Sequence, residues 1–217
     1  MYDAGFRKFF LRIYGGYAHT MEADRRTRLA PDERRAQLVA LGVASLVDRP
    51  LEALTLELLA ERAGVSRGLL FYYFGSKQAL HRVVVSTARD SMLRATEPVR
   101  ALPPLDRLHD TLTRIVQFVR DHEGTFYSLV RGAASGDPEV REVVEQARVL
   151  QAERVIAVFL EMGVADSELL RIALRSWVAF AEEALVESAL NTEMSTEDVV
   201  SFLERTVKAV AASVHPA

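Results

Sequence analysis

Apolar residues recur at three- and four-residue spacing along most of the chain, and they almost nowhere alternate with polar ones. That period belongs to the α-helix, whose 3.6-residue turn lines such positions along one face. Pro31-Asp32-Glu33 opens the first expected helix, with acids in the first turn and Leu38, Leu41 and Ala44-Ser45 on one face before Arg49-Pro50 stops it. A short helix is expected from Thr55 to Ala63, ended by Gly64, and another from Ser66 to about Phe74. Gly75-Ser76 breaks the pattern, and Ser76 caps a long fourth helix reaching nearly to Pro98.

Pro103-Pro104 starts a fifth helix carrying Leu108, Leu112, Ile115, Val116 and Val119, with its end expected at Gly124. A sixth covers about residues 125–134. Asp137-Pro138, a capping acid before a proline at the first helical position, opens a seventh that runs to Met162-Gly163. Ser167-Glu168 starts an eighth, reaching about Leu190, and Thr196-Glu197-Asp198 a ninth. With no Asn-Gly or Asp-Gly turn between alternating runs, the expected fold is all-α with about nine helices. The expected division is an extension over 1–30, a small helical module over 31–78 and a larger helical body over 79–217.

Composition narrows the chemistry. The 217 residues include no cysteine, which removes disulfides, thiolate metal sites and thiol nucleophiles. The longest apolar run is Val155 to Leu160, far short of the roughly 20 residues a membrane-spanning helix needs, so a cytoplasmic protein is expected. Charge is unevenly placed. Residues 1–97 carry 15 Lys and Arg against 11 Asp and Glu, whereas residues 98–217 carry 12 against 19. A basic module on an acidic body is compatible with a polyanionic partner.

The stretch from Thr55 to Phe71 reads as helix, three-residue turn, helix. Leu58, Leu59 and Ala63 give the first helix a buried side, Gly64 permits a left-handed turn, Val65 fills the corner and Ser66 caps the second helix. Arg67 and Gly68 then stand at a helix N-terminus, where a recognition helix meets base edges. A plain helical corner has the same pattern. Tyr72-Tyr73-Phe74-Gly75-Ser76-Lys77 adds phenolic hydroxyls, a helix N-terminus and a lysine, a set suited to phosphate oxygens.

On these residues, from the amphipathic first helix through Leu54-Thr55-Leu56-Glu57 to Gly75-Ser76-Lys77-Gln78-Ala79-Leu80, the sequence resembles the TetR family of bacterial transcriptional regulators. The resemblance covers roughly residues 34–82. It implies base-reading positions at Arg67 and Gly68 and phosphate contacts at Thr55, Ser66, Tyr72, Tyr73 and Lys77. Leu69 and Phe71 stand where the family commonly has Thr and Tyr, which shifts both from hydrogen bonding towards apolar contact with DNA.

The resemblance also implies a homodimer on double-stranded operator DNA, with the last two helices pairing with their copies. Helix eight carries Leu174, Trp177, Val178, Ala181, Ala184, Leu185 and Ser188; helix nine carries Val199, Phe202, Leu203, Thr206, Val210 and Val214. The same stripes could pack within one chain. The middle helices are expected to form a pocket for a hydrophobic small-molecule effector, acyl or aromatic. Its candidate residues are Phe118, His122, Phe126, Tyr127, Val130 and Arg131, facing Val155, Phe159, Trp177 and Phe180, with Glu182 and Glu183 as embedded polar groups. Repression is the expected mode of control.

Other readings are less well supported. The five histidines are scattered, and no phosphate-cradling glycine motif, cofactor motif or catalytic pattern is found, so no enzyme is expected. Asp106, His109 and Asp110 sit one turn apart and could bind a metal, although a solvated helix face has the same spacing. A dimeric small-molecule-binding protein with a vestigial DNA module is the principal alternative. Residues 1–30, with Phe6-Arg7-Lys8-Phe9-Phe10 and Arg25-Arg26-Thr27-Arg28, read as a plain extension, a basic arm on DNA, or a docking helix.

Overall fold

The computed structural model describes residues 30–47, 49–132 and 136–214, with the side chains of Arg131 and Gly132 outside that description. The extension expected over 1–30 therefore lies outside the described residues except for Ala30. Among the described residues there are nine α-helices and no strand. They are α1 (Pro31–Ser45), α2 (Leu56–Ala63), α3 (Arg67–Phe74), α4 (Lys77–Ala95) and α5 (Pro104–Asp121). The remainder are α6 (Glu123–Gly132), α7 (Pro138–Glu161), α8 (Glu168–Leu185) and α9 (Thr196–Ser213). The chain divides into two compact units, one through Ser91 and one from Met92, and α4 runs from the first into the second.

The first unit is built around Leu38, Val43, Leu46, Leu54, Leu59, Leu70, Leu80 and Val84, all essentially without solvent contact. Gly42 lets α1 lie close to α4, because a Cβ there would fall 2.6 Å from Val84 Cγ2. Polar groups tie the small helices together. Arg62 on α2 donates to Ser45 Oγ (2.9 Å), which itself donates to the Leu41 carbonyl (2.8 Å). The buried His81 ring bonds the Leu54 carbonyl at 2.7 Å. A 3-10 turn at Leu51–Ala53, not visible in the apolar pattern, leads into α2.

The second unit packs α5 to α9 around Leu112, Val116, Ile156, Phe159, Leu174, Trp177, Leu203 and Val207. Asp137 accepts from the Glu139 and Val140 amides to start α7, and Ser167 accepts from the Leu170 amide to start α8. Two boundaries differ from the sequence reading. Gly124 does not end the fifth helix. That helix stops at Asp121, His122 leaves helical geometry (φ −139°, ψ 43°), and Gly124 sits inside α6. The eighth helix widens into a π turn at Val186–Leu190, and Arg120 donates to the Ala189 carbonyl (3.4 Å), the Thr196 hydroxyl (2.7 Å) and the Met194 carbonyl around it.

Candidate nucleic-acid interface and buried cavity

The helix-turn-helix is assembled from caps. Thr55 Oγ1 accepts the Leu58 amide at 3.1 Å and starts α2; Ser66 Oγ accepts the Leu69 amide at 3.2 Å and starts α3. Between them Gly64 takes a left-handed conformation (φ 64°, ψ 34°), which lets its own amide and that of Val65 close onto the last carbonyls of α2. Each capping hydroxyl uses a lone pair on the protein; that of Ser66 keeps its proton to donate to an outside oxygen, whereas that of Thr55 also bonds the Glu57 side chain.

Only Leu70 and Phe74 of α3 are fully buried. Arg67, Gly68, Phe71 and Tyr72 form an exposed stripe, with Phe71 61% and Tyr72 79% exposed, while Leu69 and Tyr73 are half-buried. Two such rings in water are costly unless a partner covers them. A Cβ on Gly68 would meet only Ser66 Oγ, at 3.9 Å, so packing within the chain does not require glycine there. Tyr72 and Tyr73 meet edge to face, with ring centres 5.3 Å apart.

Glu57 is a member of this surface that the sequence reading passed over. Its carboxylate lies 2.7 Å from the Arg67 guanidinium. Its pKa is lowered, first by its own backbone amide at the start of α2, with smaller contributions from Arg67, a Thr55 hydrogen bond and the field of Lys77. The acid thus stands among three residues expected to meet DNA. Lys77 donates to the Glu52 carbonyl at 2.6 Å. The signal was an acid in the first turn of α2, indistinguishable in sequence from one placed there for the helix dipole.

A cavity of about 80 Å³ lies in the second unit, walled by α5, α7, α8 and α9. Of the sequence-expected ligand residues, Phe126, Val155, Trp177 and Glu182 line it. The others do not. Phe159 belongs to the core, Phe118 is buried edge to face with His122 (4.6 Å), and Val130 packs against the core. Tyr127 and Glu183 face solvent, and Phe180 is 43% exposed beside Phe202. Arg131 belongs to α6, but its side chain is outside the described residues.

The lining that sequence reasoning missed includes Arg107, Leu108, Thr111, Leu112 and Ile115 from α5, and Gln151, Arg154 and Val158 from α7. Arg107 and Thr111, polar residues one turn apart on an apolar face, were the available signal. The Thr111 hydroxyl is buried without a hydrogen-bond partner among the described residues. Burial raises the pKa of Glu182, and this outweighs the opposing bond to Arg148. The metal reading finds other uses for its residues: His109 bonds Glu204 at 2.9 Å and Asp110 pairs with Arg114 at 2.5 Å. Among the described residues no group of three acids or histidines could hold a metal ion.

Residues 38–84 match the model for bacterial regulatory proteins of the TetR family, and residues 104–210 match the model for the tetracycline-repressor-like C-terminal domain. The chain belongs to the TetR family. It is therefore a helix-turn-helix transcriptional regulator, and that family is not one of enzymes.

Among TetR-family relatives, the transcriptional activator FasR of Mycolicibacterium smegmatis is 32% identical over 113 residues, 49% of each chain. The chain thus spans about half the length of that curated relative. A TetR-family regulator from Streptomyces coelicolor has the same fold at a TM-score of 0.71, with 24% identity over 85% of this chain and 84% of that one. Thermus thermophilus FadR, a repressor solved in complex with lauroyl-CoA, aligns at a TM-score of 0.59 and 18% identity over 85% and 96% of the two chains. At these identities the structural likeness is one of fold.

Within this TetR-family chain the apolar stripes of α8 and α9 divide in two. Trp177, Ala181, Leu185, Val199 and Leu203 were expected at a subunit interface, but they are buried in the chain's own core, and Trp177 donates to Thr206 at 3.0 Å. They face inward because α8 and α9 must first pack on α5 and α7. Ala184, Ser188, Phe202, Thr206 and Val210 are half-buried, and Leu169, Ile172 and Phe180 are exposed on the outer side of α8. Among the described residues no helix is long and apolar enough to cross a membrane.

Proposed function

We propose that this TetR-family protein is a cytoplasmic repressor that seats a dimer on an inverted-repeat operator and leaves it when a small apolar effector enters the cavity. The observation that carries the DNA reading is the exposed stripe Arg67-Gly68-Phe71-Tyr72, an uncovered aromatic and cationic surface at a capped helix N-terminus. Arg67 and Gly68 read base edges, and Leu69 and Phe71 supply apolar contact, as to a thymine methyl. Thr55, Ser66, Tyr72, Tyr73 and Lys77 hold phosphates.

One helix-turn-helix reads too few bases to be selective, so two copies with recognition helices about 34–36 Å apart are required. The outer side of α8 and α9, with Ile172, Phe180, Phe202 and Val210, is the surface we assign to the second copy. Repression is favoured because a seated dimer obstructs polymerase without any further contact, whereas activation needs a second productive surface.

Selection of random duplex DNA on the full chain tests this reading. Enrichment of an inverted repeat, bound by a species of twice 24.2 kDa, supports it. No enrichment would leave a small-molecule-binding dimer with an unused DNA module. A monomer on one half-site would overturn the dimer, and Ile172→Glu with Phe180→Glu should produce that monomer.

A further inference from the structure

Three charged side chains line the cavity: Arg107, Arg154 and Glu182. Two are answered by opposite charge, Arg107 by Glu161 and Glu182 by Arg148. Arg154 differs. Its guanidinium donates to neutral oxygens, the carbonyls of Leu93 (3.1 Å) and Thr96 (3.3 Å), the Thr96 hydroxyl (3.5 Å) and the Gln151 side chain (3.3 Å). Burial disfavours its charge and lowers its pKa, nearby Arg114 adds to this, and Glu97 offsets it in part.

The carbonyls it holds are those at the C-terminal end of α4, which have no partners inside that helix. Arg114 gathers the neighbouring ones, Ala95 (3.2 Å) and Glu97 (2.8 Å), but is itself fixed by Asp110. Arg154 is thus the half of a two-arginine clamp on the end of α4 that is held by neutral oxygens, and it also lines the cavity. The Thr111 hydroxyl, more than nine-tenths buried and without a hydrogen-bond partner among the described residues, lines the same cavity and offers a second polar contact there.

We propose that Arg154 recognises the anionic head of an apolar effector, and that taking this head releases the end of α4. The proposal rests on the cavity being the effector site. A carboxylate accepts two parallel guanidinium bonds and brings the opposite charge that a carbonyl lacks, so in a low-dielectric cavity it wins the exchange. Thr111 completes the head-group site. At about 10–15 Å³ per water position, a cavity of about 80 Å³ has room for roughly five to eight water- or methylene-sized groups, which points to a medium-chain or single-ring acid.

Trp177 lines the cavity and is the only tryptophan, so its emission reports binding without DNA. The full chain is titrated with octanoate, octanol and octylamine, as wild type, Arg154→Gln, Arg154→Lys and Thr111→Val, with octanol as the control for a folded cavity. Octanoate should bind best to wild type. Arg154→Gln should weaken octanoate about tenfold or more, the usual loss for a charge-assisted bond, while leaving octanol within about twofold. Arg154→Lys should recover part of that loss and Thr111→Val should cost less. Amide exchange at Thr96 and Glu97 should quicken with octanoate and not with octanol. Equal octanoate binding by Arg154→Gln, a preference for the alcohol or amine, unchanged exchange, or no octanoate binding at millimolar concentration would each overturn the proposal. Because no operator is used, failure of the DNA reading would show separately.

Discussion

The Glu57 carboxylate and the Arg67 guanidinium lie 2.7 Å apart, so in the free protein the side chain assigned to base reading is already held by an acid on the preceding helix. Both side chains are more than half exposed, and such a pair adds little to stability. Its consequence falls on binding instead. A base edge must compete with Glu57 for Arg67, and phosphates elsewhere must tolerate a negative charge on the same face. Arg67→Ala should therefore relax sequence preference and cost about 1–3 kcal/mol on the selected operator. Glu57→Gln should raise affinity for scrambled DNA several-fold and shrink the ratio of specific to scrambled binding. Fluorescence anisotropy on both duplexes measures this, and equal losses on the two for Arg67→Ala would remove its base-reading role.

Lys77 should behave differently. It opens α4 behind the Ser76 cap and donates to the Glu52 carbonyl, with its charge towards solvent. A cation placed so meets phosphate, not base. Lys77→Ala should weaken operator and scrambled DNA alike and reduce the salt slope by about 0.9, the value for one phosphate contact. An unchanged slope would assign Lys77 to holding the 3-10 turn alone.

Two glycines separate folding from binding. Gly68 has open space where a Cβ would go, so Gly68→Ala should raise stability by up to about 1 kcal/mol through helix propensity. The added methyl would stand on the exposed stripe and should weaken operator binding. At Gly42 the added Cβ meets Val84 Cγ2 at 2.6 Å, so Gly42→Ala should destabilise the fold by about 1–3 kcal/mol. Affinity per folded molecule should then stay unchanged. Thermal melts beside DNA titrations distinguish the cases, and a Gly68→Ala protein with full affinity would contradict close approach of that backbone.

The residues that announce helix starts were legible because capping is local: Thr55, Ser66, Ser76, Asp137 and Ser167 each accept from an amide two or three residues on. Gly124 was misread because a glycine that ends one helix and a glycine at the second position of the next look alike in sequence. The lining of the cavity depends on distance in the chain. Thr111 and Arg154, more than forty residues apart in the chain, meet at one cavity from two helices, and periodicity on either helix says only that one face is buried. For α8 the pattern was ambiguous in another way. Trp177 and Leu185 face the core while Ile172 and Phe180 face outward, so apolar residues on both sides made inner and outer stripes hard to separate.

Glu182 gives the cavity a pH dependence whose sign follows from its surroundings. Burial is the largest influence and raises its pKa above the ordinary 4.5, against the pull of Arg148. The folded protein therefore holds the Glu182 proton more tightly than the unfolded chain does. Its contribution to stability falls as pH rises through the window from 4.5 to the raised value, and returns as pH falls again. At neutral pH wild type carries the cost of a buried carboxylate, which Glu182→Gln removes, although the substitution also takes a charged partner from Arg148. The difference in melting temperature, variant minus wild type, should thus be more positive at pH 7 than near pH 4.5. A difference that grows as the pH is lowered would show that the bond to Arg148 outweighs burial, and that the carboxylate is held in its charged form.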